Sequence, residues 1–480
     1  MAFSICSRAV AQADLVIRDV TLISPERAEP LAHAFIRVRD GRVAEVSEIP
    51  LRGAQEIDGA GRFLIPGLID GHVHIGQIPG MQFGQDADYP ELAAAARAQE
   101  PRSHLYFGFT TVVDLNSPNA AAMRRWSDAA VRPDVHFCGG APVMNGFPMN
   151  TVPEAFRFNV YEYFLYDDAQ ADRIPDSIDA AKHTPEAIVA RMSADGALCV
   201  KVHYEPGNLQ VGQSLATPSL EIIRAVVAAA HEHGMPVVIH ANTKDAQVFA
   251  VRSGADIITH TMGNALPLGR ETLDDDVLEI LRTVVSLGIG YQPTMQAVLY
   301  GNLALFDERY LQDPRVEHIV PPGLLAWFAT PEGGWFRDQI LARNDGAIPP
   351  VPILTAVRSY DRIVRYLAES HARLLFGSDT PATGSYGNLP GLNGRLEMNR
   401  WIGAGVSFGQ LFNALTLDNA RAFGLDDEIG TVETGKVAHL LLLQGNPLES
   451  VAAYDTIEVV ILRGEPIERA ELSALSRRSE

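Results

Sequence analysis

Apolar and polar residues alternate near the N-terminus: Leu15-Val16-Ile17, Val20-Thr21-Leu22-Ile23, Phe35-Ile36-Arg37-Val38 and Val43-Ala44-Glu45-Val46. A period of two predicts half-buried strands, and Asp40-Gly41 between the last two predicts a two-residue hairpin. Residues 437–443 and 459–462 repeat the pattern near the C-terminus. Two β-rich ends flanking a long middle predict one small β-sandwich, built from residues 1–66 and 426–480.

The middle follows a different rule. Thr184-Pro185 opens a helical segment, Gly196 closes it, and residues 197–202 follow as a buried strand. Thr217 is the expected N-cap of the next helix, with Pro218 at its first position. Leu220, Ile223, Val227 and Ala230 form its apolar face, Gly234 ends it, and Pro236-Val237-Val238-Ile239-His240 is the next strand. A third unit runs from Asp245 through Gly254 to a strand at 256–260. A fourth pairs a helix near 360–371 with a strand at 374–379. Helices alternating with apolar strands require a parallel sheet covered on its faces. Several of these strands end in residues able to bind metal, and closed barrels carry their active sites at the C-terminal strand ends. The expected fold is therefore α/β, a (β/α)8 TIM barrel over residues 67–425. Long loops are expected near 143–184 and 298–360. The second holds Trp327, Phe328, Trp335 and Phe336, which suit a lid over the barrel mouth or a subunit interface.

A chain of 480 residues has room for a barrel and a smaller domain. A net charge of −20 argues against nucleic acid, whose phosphates need a basic face. No run approaches the roughly 18 apolar residues of a membrane span. Cys6, Cys138 and Cys199 are scattered and odd in number, so no disulfide is expected, and a cytoplasmic location fits best. Ala11-Gln12-Ala13 has the small residues of a secretory cleavage site, which leaves secretion or a periplasmic location as the alternative. The segment before it, however, is short and interrupted by Arg8.

Candidate chemistry begins at Ile69-Asp70-Gly71-His72-Val73-His74. Histidines at i and i+2 of a strand face one side, so both rings can meet one cation. Lys201, His240, His260 and Asp379 then close further strands, giving five strand ends that supply nitrogen and oxygen donors. Lys201 lies in an apolar strand, where burial favours its neutral amine; a salt bridge to Asp379 or Glu205 is the alternative. His203 shares the facing of Lys201, and His203, Tyr204 and Tyr291 are candidate substrate contacts.

The run Phe63-Leu64-Ile65-Pro66-Gly67-Leu68-Ile69-Asp70-Gly71-His72-Val73-His74 resembles the first-strand signature of the amidohydrolase superfamily. Gly108-Phe109-Thr110-Thr111-Val112-Val113-Asp114 is similar to its second strand. The spacing of His240-Ala241, Gly254-Ala255-Asp256 and His260 resembles the imidazolonepropionase-like branch, with its metal-dependent Xaa-Pro dipeptidases and ochratoxin-hydrolysing amidases. The resemblance implies two divalent ions, zinc by expectation. His72, His74 and Asp379 would hold the more buried ion, His240 and His260 the more exposed one, and Lys201 would bridge both as a CO2-derived carbamate. It implies hydrolysis of a small-molecule amide, a dipeptide or N-acyl amino acid, by a metal-activated hydroxide with Asp379 shuttling the proton; a lid of Trp327, Phe328, Trp335 and Phe336 adds the expectation of a bulky apolar group on that substrate. A lactonase or esterase is the alternative; a deaminase and an inactive scaffold fit less well. A homo-oligomer is expected. The chain departs from the branch at Thr259, where Glu is common, and at Ala438-His439, where Ala-Asp is common. Neither position is expected to touch the ligands. Beyond Lys201, His203-Tyr204-Glu205-Pro206-Gly207 replaces a Gly-Gly loop.

Overall fold

Seven strands, Leu68–Val73, Phe109–Ser117, Asp134–Gly140, Cys199–His203, Val237–His240, Ile257–Thr259 and Gly290–Gln292, pair in sequence order and all in parallel. They belong to a computed structural model that describes residues 14–126, 129–207, 214–267, 269–307, 309–347, 350–381 and 384–479. Cys6, Arg8 and Ala11-Gln12-Ala13 lie outside the described residues. Helices such as Pro90–Tyr106, Pro185–Ala194, Leu220–Glu232, Lys244–Ser253, Asp275–Leu287 and Pro350–Glu369 cover the outside. Strand alternation sorts the core into two layers. Val113, Leu115, Cys138, Cys199, Val238, Ile257 and Leu375 fill the barrel, while Val112, Val200, Val237, Ile239, Ile258 and Tyr291 face the helices.

Local signals account for the helix starts. The Thr184 and Thr243 hydroxyls accept from the Ala187 and Ala246 N–H groups. Helix Leu220–Glu232 is capped by Ser219, not by Thr217 as expected: the Ser219 hydroxyl accepts from the Ile222 N–H, one residue before the first helical position.

The eighth strand departs from a regular ladder. Residues 373–380 make only isolated bridges, Leu374 with Tyr291 and Thr380 with Val73. Side chains satisfy much of the rest. The Ser378 N–H donates to Asp70 Oδ1, Asn419 Nδ2 donates to both the Ile69 and Phe376 carbonyls, and Asn393 Nδ2 donates to the Ser378 carbonyl. The approach to the first strand is so close that a Cβ on Gly377 would lie 2.6 Å from His72 Cβ. The barrel thus closes through an irregular extended segment.

The two chain ends form a second, mixed sheet in which Leu15–Leu22, Phe63–Pro66, Leu440–Leu443 and Ile457–Leu462 are central. Both faces of Leu440–Leu443 are buried. Leu440 and Leu442 join the sandwich core, and Leu441 and Leu443 pack on the barrel. Asp40 and Gly41, both at positive φ, make the expected hairpin turn. No helix among the described residues is long and apolar enough to cross a membrane.

Two expectations need correction. Cys138 and Cys199 are disulfide-bonded. They sit directly opposite each other on adjacent strands, a pairing that their separation of 61 residues conceals. The long connections 143–184 and 298–360 contain several short helices, including Val316–Ile319, Pro322–Trp327 and Trp335–Arg343. Trp327, Phe328 and Phe336 are buried against their own chain, which leaves them little surface for a subunit contact. Phe328 stacks on Tyr386, Trp327 meets Tyr89 edge-on, and Trp335 Nε1 donates to the Gly80 carbonyl at 2.8 Å. These aromatics brace the loop that follows the first barrel strand.

His439, one of the departures, joins the sheet of the chain ends to the barrel floor. Its Nε2 lies 2.8 Å from Asp134 Oδ2, and Arg463 grips the same carboxylate with two N–H groups. Burial would raise the Asp134 carboxyl, but the His439 and Arg463 bonds outweigh it and hold it at about 2, below the ordinary 3.8. An acid so depressed stabilises the fold at pH above its ordinary value, and that contribution disappears as pH falls from about 4 through about 2. Asp134→Asn should therefore lower thermal stability at pH 7 by about 1–3 kcal/mol, with the deficit shrinking towards pH 2. Calorimetric melting across that range reads it.

Candidate metal centre

The barrel brings the predicted ligands to one end. Donor atoms of His72, His74 and Asp379 all lie within 4.8 Å of one another. His74 Nε2 is 2.9 Å and His72 Nε2 3.3 Å from Asp379 Oδ1. The latter is about the ligand-to-ligand edge of a tetrahedral site with bonds near 2.0–2.1 Å. His260 Nδ1 lies 3.8 Å from Asp379 Oδ2, and the His240 and His260 rings are 4.4 Å apart. Lys201 is 2% exposed, and its Nζ donates to Thr259 Oγ1 at 2.7 Å. Thr259, expected to stand clear of the ligands, thus touches one of them: as the inward residue of its strand it faces Lys201 across the barrel.

Other side chains aim these donors. Glu205 Oε2 lies 3.3 Å from His240 Nε2 and accepts from Asn242 Nδ2 at 2.7 Å, while its Oε1 accepts from the Gly207 N–H. A carboxylate partner puts the imidazole proton on Nε2 and leaves Nδ1 free to bind. His260 is held the other way round, with Thr294 Oγ1 2.7 Å from its Nδ1 and Nε2 left free. The Thr294 turn is fixed by buried Glu397, which accepts from the Met295 and Gln296 N–H groups. Beyond His74, the Ile75 N–H donates to Asp114 and the Gly76 N–H to Glu100.

The candidate substrate contacts part company. His203 is buried beside His240, and its Nδ1 has no hydrogen-bond partner among the described residues. Tyr204 stacks on Phe249 at 4.3 Å, against the outer core. Tyr291 is fully buried in the helix-facing layer, one residue out of phase with the lumen. Its hydroxyl accepts from Gln247 Nε2, which also donates to the His260 and Ala241 carbonyls. Tyr291 therefore lies behind the cluster, linked to the His260 backbone through Gln247. Thr294 and Gln247 were missed in the sequence, and Glu205 was read only as a possible partner of Lys201, whereas it pairs with His240. Only Glu205 left a signal there, as the third member of the alternation Lys201, His203, Glu205.

Burial depresses His72, His203 and His260 well below their ordinary values, and neighbouring cationic groups push the same way. Burial likewise lowers Lys201 to about 7, against the opposing pull of Asp379. The site is thus a cluster of neutral imidazole nitrogens around a carboxylate, the donor chemistry of a divalent transition metal. His260, Thr294 and Asp379 all adopt positive φ, at 76°, 45° and 54°. Such strain in non-glycine residues gathers where geometry serves function. The residues present fit a metal centre.

Glu205→Ala and Thr294→Val should each weaken divalent-metal affinity by about 10–100-fold while the barrel stays folded. Titration against a chromogenic chelator, beside circular dichroism, measures both. Unchanged affinity in both variants would remove the roles assigned here.

A sequence profile of the amidohydrolase family matches residues 63–467. A stretch of 80 residues is 35% identical to a dihydroorotase of Methanothermobacter thermautotrophicus, covering 17% of this chain and only 16% of that protein. A crystal structure of a Xaa-Pro dipeptidase superposes with a TM-score of 0.65 at 20% identity, covering 95% of this chain and 100% of the other. Ochratoxinase from A. niger does so with a TM-score of 0.65 at 18% identity, covering 95% and 96%. These superpositions establish a shared fold, among proteins of the branch that the motifs resemble. With the profile spanning the barrel and much of the sandwich, the chain belongs to the amidohydrolase family.

Proposed function

We propose that the protein is a metal-dependent hydrolase that cleaves an amide bond of a small molecule, a dipeptide or an N-acyl amino acid. The observation that carries this reading is the convergence of His72, His74 and Asp379 donor atoms within 4.8 Å at the barrel end. His72, His74 and Asp379 would hold one divalent cation, with zinc suited to the donor set. His240 and His260 would hold a second, and Lys201 would lie between them as a carbamate. Bound there, the ions would supply Lewis acidity and an activated water.

The chain's own residues supply the remainder. Burial of Lys201 keeps a large share of its amine neutral near pH 7, the form that reacts with CO2, and Thr259 Oγ1 orients it. Asp379 accepts the proton released during attack on the carbonyl and delivers it to the leaving nitrogen. Its carboxylate is held in place by His74 and by the strand-like N–H bond to the His72 carbonyl at 2.7 Å. Nearly complete burial of His72, Lys201 and His260 excludes bulk water and strengthens each electrostatic interaction. His203, neutral and with an Nδ1 that has no hydrogen-bond partner among the described residues, would meet a polar group of the substrate.

His72→Ala and His240→Ala should each lose bound metal and lower turnover by more than about a hundredfold while remaining folded. The assay is a panel of dipeptides, N-acyl amino acids and lactones, with metal content by mass spectrometry. Turnover of lactones alone would replace the amide reading with that of an esterase. Lys201→Ala should also be inactive and recover part of its activity with added acetate or formate, which can fill the vacated position. Full activity of any of these variants would overturn the proposal.

A further inference from the structure

Apolar recognition was expected from Trp327, Phe328, Trp335 and Phe336, yet those side chains are spent on internal packing. A different aromatic lies against the site. Phe147, on the connection that follows the third barrel strand, has its ring 5.0 Å from that of His240 and 5.6 Å from that of His203. It remains half-buried, whereas Met144 and Met149 on either side are fully buried in a cluster with Val152, Tyr161 and Phe164.

The backbone around Phe147 is fixed. The Gly146 N–H donates to the Val143 carbonyl, the Met144 N–H to Leu165 and the Asn150 N–H to Gly146. Gly146 also bridges Ala216, so closely that a Cβ on Gly146 would lie 2.6 Å from the Ala216 carbonyl oxygen. A phenyl ring held partly open on an anchored turn, against two histidines of the site, has the character of a pocket wall. Its fixed position means that little ordering entropy is lost when a ligand packs on it.

We propose that Phe147 is a specificity-determining residue, forming the apolar wall of the substrate pocket and selecting substrates with a flat apolar group close to the scissile carbonyl. The inference rests on the hydrolase reading above and names the substrate class of that same site. Offset or edge-on contact between two aromatic groups adds to the burial of apolar area and favours a phenyl over a methyl substituent by about tenfold.

Isothermal titration of the zinc-loaded protein with benzohydroxamate and acetohydroxamate tests the wall, because the two share a metal-binding group and differ only in the apolar substituent. The native protein should bind benzohydroxamate about tenfold more tightly, and Phe147→Ala should bring the pair within about twofold. Phe147→Tyr should keep the preference. Phe147→Leu, apolar but not flat, should lose most of it and serves in place of the alanine variant if that fails to fold. Equal binding by the native protein, or an undiminished ratio in the alanine or leucine variant, would overturn the proposal. Turnover of N-benzoylglycine and N-acetylglycine is followed in parallel. Absence of amide cleavage with the binding ratio intact would overturn the hydrolase reading and leave the wall standing.

Discussion

Closure of the barrel depends on one buried carboxylate. Asp70 Oδ1 accepts from the Ser378 N–H on the last strand and from the His72 N–H on its own. Burial raises this carboxyl to about 7, opposed by those same bonds. The seam it holds also carries the candidate metal centre, since His72, His74 and Asp379 sit on its two sides. Asn419 and Asn393 extend the arrangement, replacing ladder bonds that the irregular segment cannot make. A regular ladder would fix every residue of the eighth strand in β geometry. Side-chain bonds instead let Asp379 turn to positive φ and aim its carboxylate at the two histidines.

The same economy governs the histidines. A metal site needs neutral imidazoles with a chosen nitrogen free, and burial supplies the neutrality. In the candidate site the nitrogen left free follows from partners outside the proposed ligands: Glu205 beside His240 Nε2 and Thr294 beside His260 Nδ1. These partners lie just beyond the ends of the fourth and seventh strands, so each of the two histidines is oriented by a residue from a neighbouring strand's connection. The departure at Thr259 belongs to this scheme. A carboxylate there would face Lys201 and hold it as an ammonium, whereas a hydroxyl orients the amine without fixing its charge.

Much of this was legible in the residues because it depends on local periodicity. Alternating apolar positions marked strands of the sheet built from the chain ends, apolar runs marked several barrel strands, Thr184 and Gly234 marked helix ends, and the six candidate ligands stood out as polar residues closing apolar runs. What stayed hidden depends on register between distant strands. Whether Tyr291 faces the lumen or the helices turns on a shift of one residue, and its neighbour Gln292 took the inward place. The pairing of Cys138 with Cys199, the partnership of His439 with Asp134 and the position of Phe147 beside His240 are likewise contacts between separate elements. The aromatic-rich insertion misled for a related reason: composition shows that rings will be buried, but not against what.

Strand Phe63–Pro66 reaches its partner Leu440–Leu443 only after the whole barrel has been traversed. Such long-range pairing carries a large loop-closure entropy, and contacts of high sequence separation form late. The N-terminal strands pair with one another, but during synthesis the outer edge of Phe63–Pro66 must wait unpaired until the last part of the chain emerges. That open edge is therefore exposed to misassociation before the native state is reached. Because the inner face of Leu440–Leu443 also packs on the barrel, its arrival completes both layers in one cooperative step.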